Sequence, residues 1–169
     1  MRLNVRLASG FARIAAGVAL CLQSVLGSAG TLTGLCIAVP DGDTIVVRDA
    51  NRRRFEVRLQ GIDAPEKDQR FGSLARRNLT SLVYRKQVEV DWSKEDKYGR
   101  LVGRVYVGDI DVNLTQADAG MAWAYREFLH EMSARDQKLF VEAEEGARHE
   151  GRGLWRDPRP MPPWEWRHR

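Results

Sequence analysis

Strict alternation of apolar and polar side chains is the feature that most limits how this chain folds. In the clearest run, Phe55, Val57 and Leu59 fall on one face, and the polar residues between them fall on the other. A repeat of two residues is typical of a half-buried β-strand. Gly61 breaks the repeat and Pro65 favours a turn, so the strand ends there and a loop follows.

Four further runs with strand character occupy residues 31–39, 44–48, 88–92 and 101–107. Amphipathic stretches predict one helix after the third strand and two after the fifth. Their predicted N-terminal caps are Ser73, Asn113 and Ser133. This order predicts an α+β protein built on a β-barrel with α-helices, a five-stranded OB-fold barrel with three helices that covers residues 30–156.

Residues 1–29 differ in composition from the rest of the chain. Three arginines precede an apolar run from Ile14 to Leu22, and small residues follow at 27–29. This is the pattern of a signal peptide, and its apolar part is too short to span a membrane. The sequence therefore predicts an exported protein, secreted or periplasmic, with no membrane attachment after cleavage. A retained N-terminal anchor is the alternative.

Removal of this leader changes the charge and the cysteine count. Lys+Arg falls from 27 to 24 against 23 Asp+Glu, so the net charge drops from +4 to +1. Bulk charge therefore does not argue for a nucleic-acid partner, and only local placement of basic residues can do so. Cys21 leaves with the leader, and the remaining Cys36 cannot form an internal disulfide.

Two acidic segments lie where predicted strands begin or end. Asp41 and Asp43 flank a glycine before the second strand, a pattern that fits either an ordinary turn or a metal ligand at Asp43. Arg58 stands on the third strand, and Asp63 and Glu66 follow in the loop beyond it. These three residues form either a surface ion pair or a phosphate-binding arginine facing two carboxylates.

Two later segments add basic and aromatic groups. Lys97, Tyr98 and Arg100 lie in a polar loop that is either a charged hairpin or a phosphate and sugar contact. Trp123 is predicted to belong to the core, whereas Tyr125 fits either the core or a site. The histidines lack zinc-ligand spacing, so the available metal ligands are oxygens, which suit Ca²⁺ or Mg²⁺.

Taken in this order, the four segments resemble the staphylococcal (thermonuclease-type) nuclease family. The resemblance covers nearly all of residues 31–155 and includes the spacing of Arg58, Asp63 and Glu66. It implies an OB-fold barrel and a Ca²⁺-dependent endonuclease of the micrococcal nuclease type, a phosphodiesterase. Such an enzyme hydrolyses DNA and RNA at the 5′-oxygen–phosphorus bond and leaves 3′-phosphates.

The resemblance also implies a role for each candidate residue. Ca²⁺ would be held by Asp43, Asp63 and the backbone carbonyl of Ala64. Asp41 would lie next to these ligands without contacting the metal itself. Glu66 would position or deprotonate the attacking water. The remaining groups would bind the phosphate or the nucleotide: Arg58 and Arg100 as catalytic arginines, and Lys97, Tyr98 and Tyr125 as substrate contacts.

The C-terminal residues 157–169 form a tail rich in proline and tryptophan. We expect this tail to pack on the barrel, because exposed tryptophans promote association. The resemblance implies a monomer with no stable protein partner. Two alternatives belong to other classes: an OB-fold module that binds nucleic acid without catalysis, and an interaction domain that docks through the tail.

Overall fold

The structure is a computed structural model that describes residues 29–169, so the predicted leader, apart from Ala29, lies outside the described residues. The strands are β1 (Gly30–Ala38), β2 (Thr44–Arg48), β3 (Arg54–Leu59), β4 (Ile62–Asp63), β5 (Gln87–Glu95), β6 (Leu101–Val107), β7 (Ile110–Asp111) and β8 (Trp123–Ala124). The helices are α1 (Gly72–Val83), α2 (Val112–Asp118), α3 (Arg126–Leu129), α4 (Ala134–His149) and α5 (Pro163–Trp166), with a 3-10 turn at Gly153–Arg156.

The five long strands close into a barrel. They pair in the order β3-β2-β1-β5-β6, and the circle is completed where β3 runs parallel to β6, with Arg58 opposite Val102. Each long strand thus has at least two partners, which removes the open edges that invite aggregation. The predicted five-stranded OB-fold barrel is confirmed. The predicted helices correspond to α1, α2 and α4, while α3 and α5 are short additional turns.

The alternating runs place their apolar side chains inside the barrel. Ile45, Val57, Leu59 and Val90 are at most 1% exposed, and Phe140 of α4 covers the core from outside the sheet. Burial of such a side chain stabilises the fold by roughly 1.5–3 kcal/mol. This rigid barrel supports the loops that carry the polar segments. Among the described residues, none of the helices has the length and apolar character needed to cross a membrane.

The tail packs on a second, smaller apolar cluster. This cluster contains Trp123, Ala147, Leu154 and Trp155, and Trp164 of α5 lies against it. The Trp164 ring meets the Trp123 ring edge-on, with centroids 5.7 Å apart. The tail is therefore part of the folded unit, and its tryptophans are partly covered as the sequence predicts.

Two of the three predicted helix caps are wrong. Ser133 does cap α4, since its Oγ accepts a hydrogen bond from the Asp136 N–H at 3.1 Å. However, α1 starts after Phe71, which adopts a φ of 71° and provides no side-chain cap. The cap of α2 is Asp111, which accepts from the Leu114 N–H at 3.0 Å.

Asn113, the predicted cap of α2, instead forms hydrogen bonds to the main chain of the barrel. It is fully buried, accepts a hydrogen bond from Val105 N–H and donates to the carbonyls of Gln60 and Gly103. These bonds tie α2 to the barrel where β3 and β6 meet. A buried amide must satisfy its hydrogen bonds, and this requirement outweighs the local capping pattern.

Candidate active site

A cleft of about 770 Å³ lies beside the barrel where β3 ends. All ten sequence-predicted site residues line it, although they come from four separate segments of the chain. They are Asp41, Asp43, Arg58, Asp63, Ala64, Glu66, Lys97, Tyr98, Arg100 and Tyr125. The fold thus creates one polar site from segments that are weak signals when taken singly.

Strand pairing positions the acids around Arg58. Thr44 lies opposite Arg58 in the β2–β3 pair, so Asp43, one residue before Thr44, arrives beside the guanidinium. The main-chain carbonyl of Asp43 also accepts the Leu59 N–H at 2.9 Å. Asp63 is fixed from the other side, because β4 pairs with β8 and places Asp63 opposite Trp123.

Arg58 is the centre of the site. Its Nη1 donates to the carbonyls of Leu59 and Ile62 at 2.7 and 2.8 Å. Its Nη2 lies 2.8 Å from Asp63 Oδ1 and 3.3 Å from Asp43 Oδ2. The side chain is only 13% exposed, so the guanidinium is held in one orientation with one nitrogen directed at both carboxylates.

Asp43 is a strongly perturbed carboxylate. Burial raises its pKa to about 7; Arg58 acts against this, while the neighbouring Asp41 and Asp63 add to the rise. Its Oδ2 accepts the Ala64 N–H at 2.6 Å, which links the two acidic loops. Gly42 permits this close packing, because a Cβ there would lie 2.7 Å from the Cβ atoms of Ala64 and Ala75. A buried acid with a raised pKa favours a nearby positive charge.

Glu66 lies at the mouth of the cleft on a tightly folded loop. Its N–H donates to Gln69 Oε1 at 3.0 Å, and its side chain is 34% exposed. Gly72 passes so close that a Cβ would lie 1.8 Å from the Glu66 carbonyl oxygen. The main chain at Glu66 is thereby fixed, while its carboxylate remains partly exposed.

The opposite wall of the cleft carries the basic loop. Arg100 Nε donates to Asp96 Oδ2 at 2.8 Å, so an acid already orients this guanidinium. Tyr98 is 71% exposed, and its ring stacks near the cations of Lys97 and Arg100 at 5.1 and 5.4 Å. An exposed aromatic ring flanked by two cations is a suitable surface for a nucleotide.

Tyr125 closes the cleft next to the tail. Its ring is parallel to the Trp164 ring, with centroids 5.6 Å apart. Burial raises the pKa of Tyr125, as does the negative charge of Asp63. The phenol therefore stays protonated and can donate a hydrogen bond. Trp123 is 7% exposed and packs on Trp155, which confirms its predicted place in the core.

The sequence interpretation assigned no role to Arg167, which also lines the cleft. Arg167, in the tail, reaches both Asp63 and Glu66 at 2.8 and 2.7 Å. Burial by itself would lower the pKa of Arg167, but its hydrogen bonds to these two carboxylates outweigh that effect and raise it. Two signals pointed to the segment in advance: residues 162–167 resemble an ending seen in bacterial members of the family, and its tryptophans predicted packing on the barrel. Neither of them placed Arg167 in the cleft.

The donor atoms of the site are all hard oxygens. Among residues 29–169, no group of three or more His, Cys, Asp or Glu side chains forms a ready metal cluster. The predicted set uses two carboxylates, Asp43 and Asp63, together with the Ala64 carbonyl. Both carboxylates are buried and face guanidinium groups, so the site already accommodates positive charge. Oxygen donors of this kind fit a hard cation such as Ca²⁺ or Mg²⁺ rather than a soft metal.

The fold and the cleft together define a class of protein: a small OB-fold barrel whose site combines buried carboxylates with arginine side chains. A model of the staphylococcal nuclease homologues matches residues 56–157. A micrococcal nuclease from Shigella flexneri is 41% identical over 143 residues, which cover 79% of each chain. An uncharacterized endonuclease from Escherichia coli O157:H7 is 44% identical over 137 residues, 80% of this chain and 85% of that one. The chain belongs to the staphylococcal nuclease family, and its class is nuclease.

Proposed function

We propose that this chain is an exported, Ca²⁺-dependent endonuclease that hydrolyses DNA and RNA at the 5′-oxygen–phosphorus bond and leaves 3′-phosphates. One observation carries the proposal. Nη2 of Arg58 lies within 3.3 Å of both Asp43 and Asp63, in the cleft that also holds Glu66 and Arg100. Carboxylates and guanidinium groups that line one cleft suit hydrolysis of an anionic diester.

The arginines supply the recognition of phosphate. Two main-chain carbonyls hold Arg58, so its remaining nitrogen can donate to a phosphate oxygen without losing its orientation. Arg100 is held in the same way by Asp96. Because both groups are oriented before the substrate arrives, little reorganisation is needed as negative charge develops in the transition state.

Glu66 is the group placed to accept a proton. The water oxygen forms a bond to phosphorus while Glu66 takes the proton of the water, and the bond from phosphorus to the 5′ oxygen breaks. The departing 5′ oxygen takes its proton from solvent. Asp43, Asp63 and the Ala64 carbonyl would hold Ca²⁺, which when bound supplies positive charge to the phosphate oxygens.

Lys97, Tyr98 and Tyr125 would contact the nucleotides on either side of the cut. Tyr98 offers an exposed ring for stacking, and Tyr125 offers a protonated hydroxyl. Export and a monomeric state are part of the proposal and rest on the leader pattern and on the family resemblance. Cell fractionation, N-terminal sequencing of the purified protein and sedimentation would test these two points.

Plasmid digestion by the mature protein tests the activity. We expect cleavage with Ca²⁺, weak or no cleavage with Mg²⁺, and none with EDTA. Polynucleotide kinase should label the product ends directly, because the cut leaves 5′-hydroxyls. Strong cleavage in EDTA would refute the metal requirement, and ends that need phosphatase treatment before labelling would refute the proposed bond. DNA binding without any cleavage would favour the non-catalytic binding module.

A further inference from the structure

The C-terminal tail delivers a guanidinium to the acidic side of the cleft. Arg167 follows α5 and lies 104 residues after Asp63 in the sequence. Its side chain turns into the cleft and lines it together with Arg58 and Tyr125. Neither the proposed binding of phosphate nor the proposed binding of Ca²⁺ assigns a role to this residue.

Arg167 contacts two carboxylates that have different proposed roles: Asp63 as a metal ligand and Glu66 as the proton acceptor. Nη2 donates to Asp63 Oδ2 at 2.8 Å, and Nη1 donates to Glu66 Oε1 at 2.7 Å. Nη1 also lies 3.4 Å from Asp63 Oδ1. One planar fork thus bridges the predicted metal ligand and the predicted proton acceptor, which a lysine could not do with the same geometry.

The tail is anchored at several points, so this position is not that of a loose terminus. Trp164 stacks on Tyr125 and meets Trp123 edge-on. Further up the tail, Gln69 Nε2 donates to the Met161 carbonyl at 2.7 Å, and Arg70 pairs with Asp157 at 2.6 Å. These contacts keep Arg167 within reach of the cleft even when its own ion pairs are broken.

A metal ion at Asp63 would compete with the guanidinium groups that already contact this carboxylate. The side chain of Asp63 is 2% exposed, and both oxygens are already engaged, Oδ1 by Arg58 and Oδ2 by Arg167. Arg58 is buried and bound to two carbonyls, whereas Arg167 is 40% exposed and approaches from the solvent side. Arg167 is therefore the partner that can move.

We propose that Arg167 lowers the cation affinity of this site: its guanidinium pairs with Asp63, one of the three predicted metal ligands, until a divalent ion bound by Asp43, Asp63 and the Ala64 carbonyl displaces it. The inference rests on the proposed Ca²⁺-dependent function. Because the same fork holds Glu66, one displacement opens the cation position and also frees the carboxylate that accepts the proton. Arg167 thus couples occupancy of the site by metal to availability of the base.

Calcium titration of the mature protein by calorimetry tests this inference without relying on activity. In Arg167→Gln the competing charge is lost, and we expect Ca²⁺ to bind about 3- to 30-fold more tightly, the range for a partly exposed charge-assisted pair. Arg169→Gln is the matched control. It removes the same charge from the same tail, but the Arg169 guanidinium lies over the Trp166 ring at 5.2 Å. Its affinity should equal that of the wild type.

A chain that ends at Trp166 is a second test variant in case Arg167→Gln folds poorly. It keeps Trp164 and should also bind Ca²⁺ more tightly, with circular dichroism confirming the fold. Equal or weaker binding by both variants, with Ca²⁺-dependent cleavage intact, would overturn the inference and leave the proposed function standing. Absence of Ca²⁺ binding in the wild type and in both variants would overturn the inference together with the Ca²⁺ requirement.

Discussion

The side-chain oxygen of Gln69 accepts a hydrogen bond from the main-chain N–H of Glu66 at 3.0 Å. The amide nitrogen of the same glutamine donates to the carbonyl of Met161 in the tail. Gln69 is 7% exposed, so these bonds are shielded from water. The loop of Glu66 is consequently fixed by the tail, and substitutions of its side chain alone should leave the main chain in place.

Replacement of Glu66 by glutamine tests its role as the proton acceptor. We expect turnover on DNA with saturating Ca²⁺ to fall by about 10²–10⁴-fold, the usual contribution of a general base. Glu142→Gln is the control, because Glu142 is a 54% exposed residue on α4 and should retain wild-type turnover. A Glu66→Gln enzyme with an unchanged rate would exclude this role.

Arg58→Lys tests whether the forked geometry of the guanidinium matters. Lysine keeps the charge but cannot bind two carbonyls and two carboxylates at once, so we expect kcat/KM to fall by roughly 10–100-fold. Arg53→Lys serves as the control, since Arg53 lies outside the cleft, pairs with Asp49 at the surface and is 67% exposed. Wild-type kinetics in Arg58→Lys would show that catalysis does not need the forked geometry.

Two glycine-to-alanine substitutions are expected to change the free energy of unfolding in opposite directions. Gly42→Ala places a Cβ 2.7 Å from two others, and we expect the free energy of unfolding to decrease by roughly 1–3 kcal/mol. Gly146→Ala lies inside α4, where the nearest atom to a new Cβ is 3.6 Å away. There alanine should stabilise the protein by roughly 0.5–1 kcal/mol. Urea denaturation measures the free energy of unfolding of both variants. A Gly42→Ala protein more stable than the wild type would contradict the close packing of Gly42 against Ala64 and Ala75.

The buried thiol of Cys36 is expected to be unreactive in the folded protein. Burial raises the pKa of this thiol to about 11, and a backbone hydrogen bond with Ala38 acts against this rise. At pH 8 about 0.1% of the thiols would be ionised, so a disulfide reagent should leave the folded protein unmodified. In urea one thiol per mature chain should react. Two reactive thiols would show that Cys21 is still present and that the leader had not been removed.

The same shift has a consequence for stability at alkaline pH. The unfolded chain loses the Cys36 proton near pH 8.5, whereas the folded chain keeps it until about 11. The contribution of the protonated thiol is therefore complete below about pH 8.5 and declines as the pH rises towards 11. Urea midpoints measured for the wild type and Cys36→Ala between pH 8 and 10.5 should converge as the pH increases. A constant difference across that range would rule out the shift.

Local sequence patterns predicted the structure correctly where the feature depends only on residues close together in the chain. The alternation of Phe55, Val57 and Leu59 predicted the buried face of β3, because side-chain direction in a strand depends only on the repeat of two. Ser133 was found as a cap for a similar reason, since its partner lies three residues away. Asn113 had the same spacing to Gln116, but Asp111 took the cap and Asn113 was drawn into the barrel.

The amino-acid sequence by itself predicted the five long strands, the closed barrel type and ten of the residues that line the cleft. These follow from short-range periodicity and from segments whose order resembles one family. Only the tertiary structure decided which charges meet. Arg58 faces Asp43 because β2 and β3 pair in one register, and Arg167 reaches Asp63 because tryptophan packing folds the tail back across 104 residues. Contacts at such separation depend on the packing of the whole chain, and no local pattern specifies them.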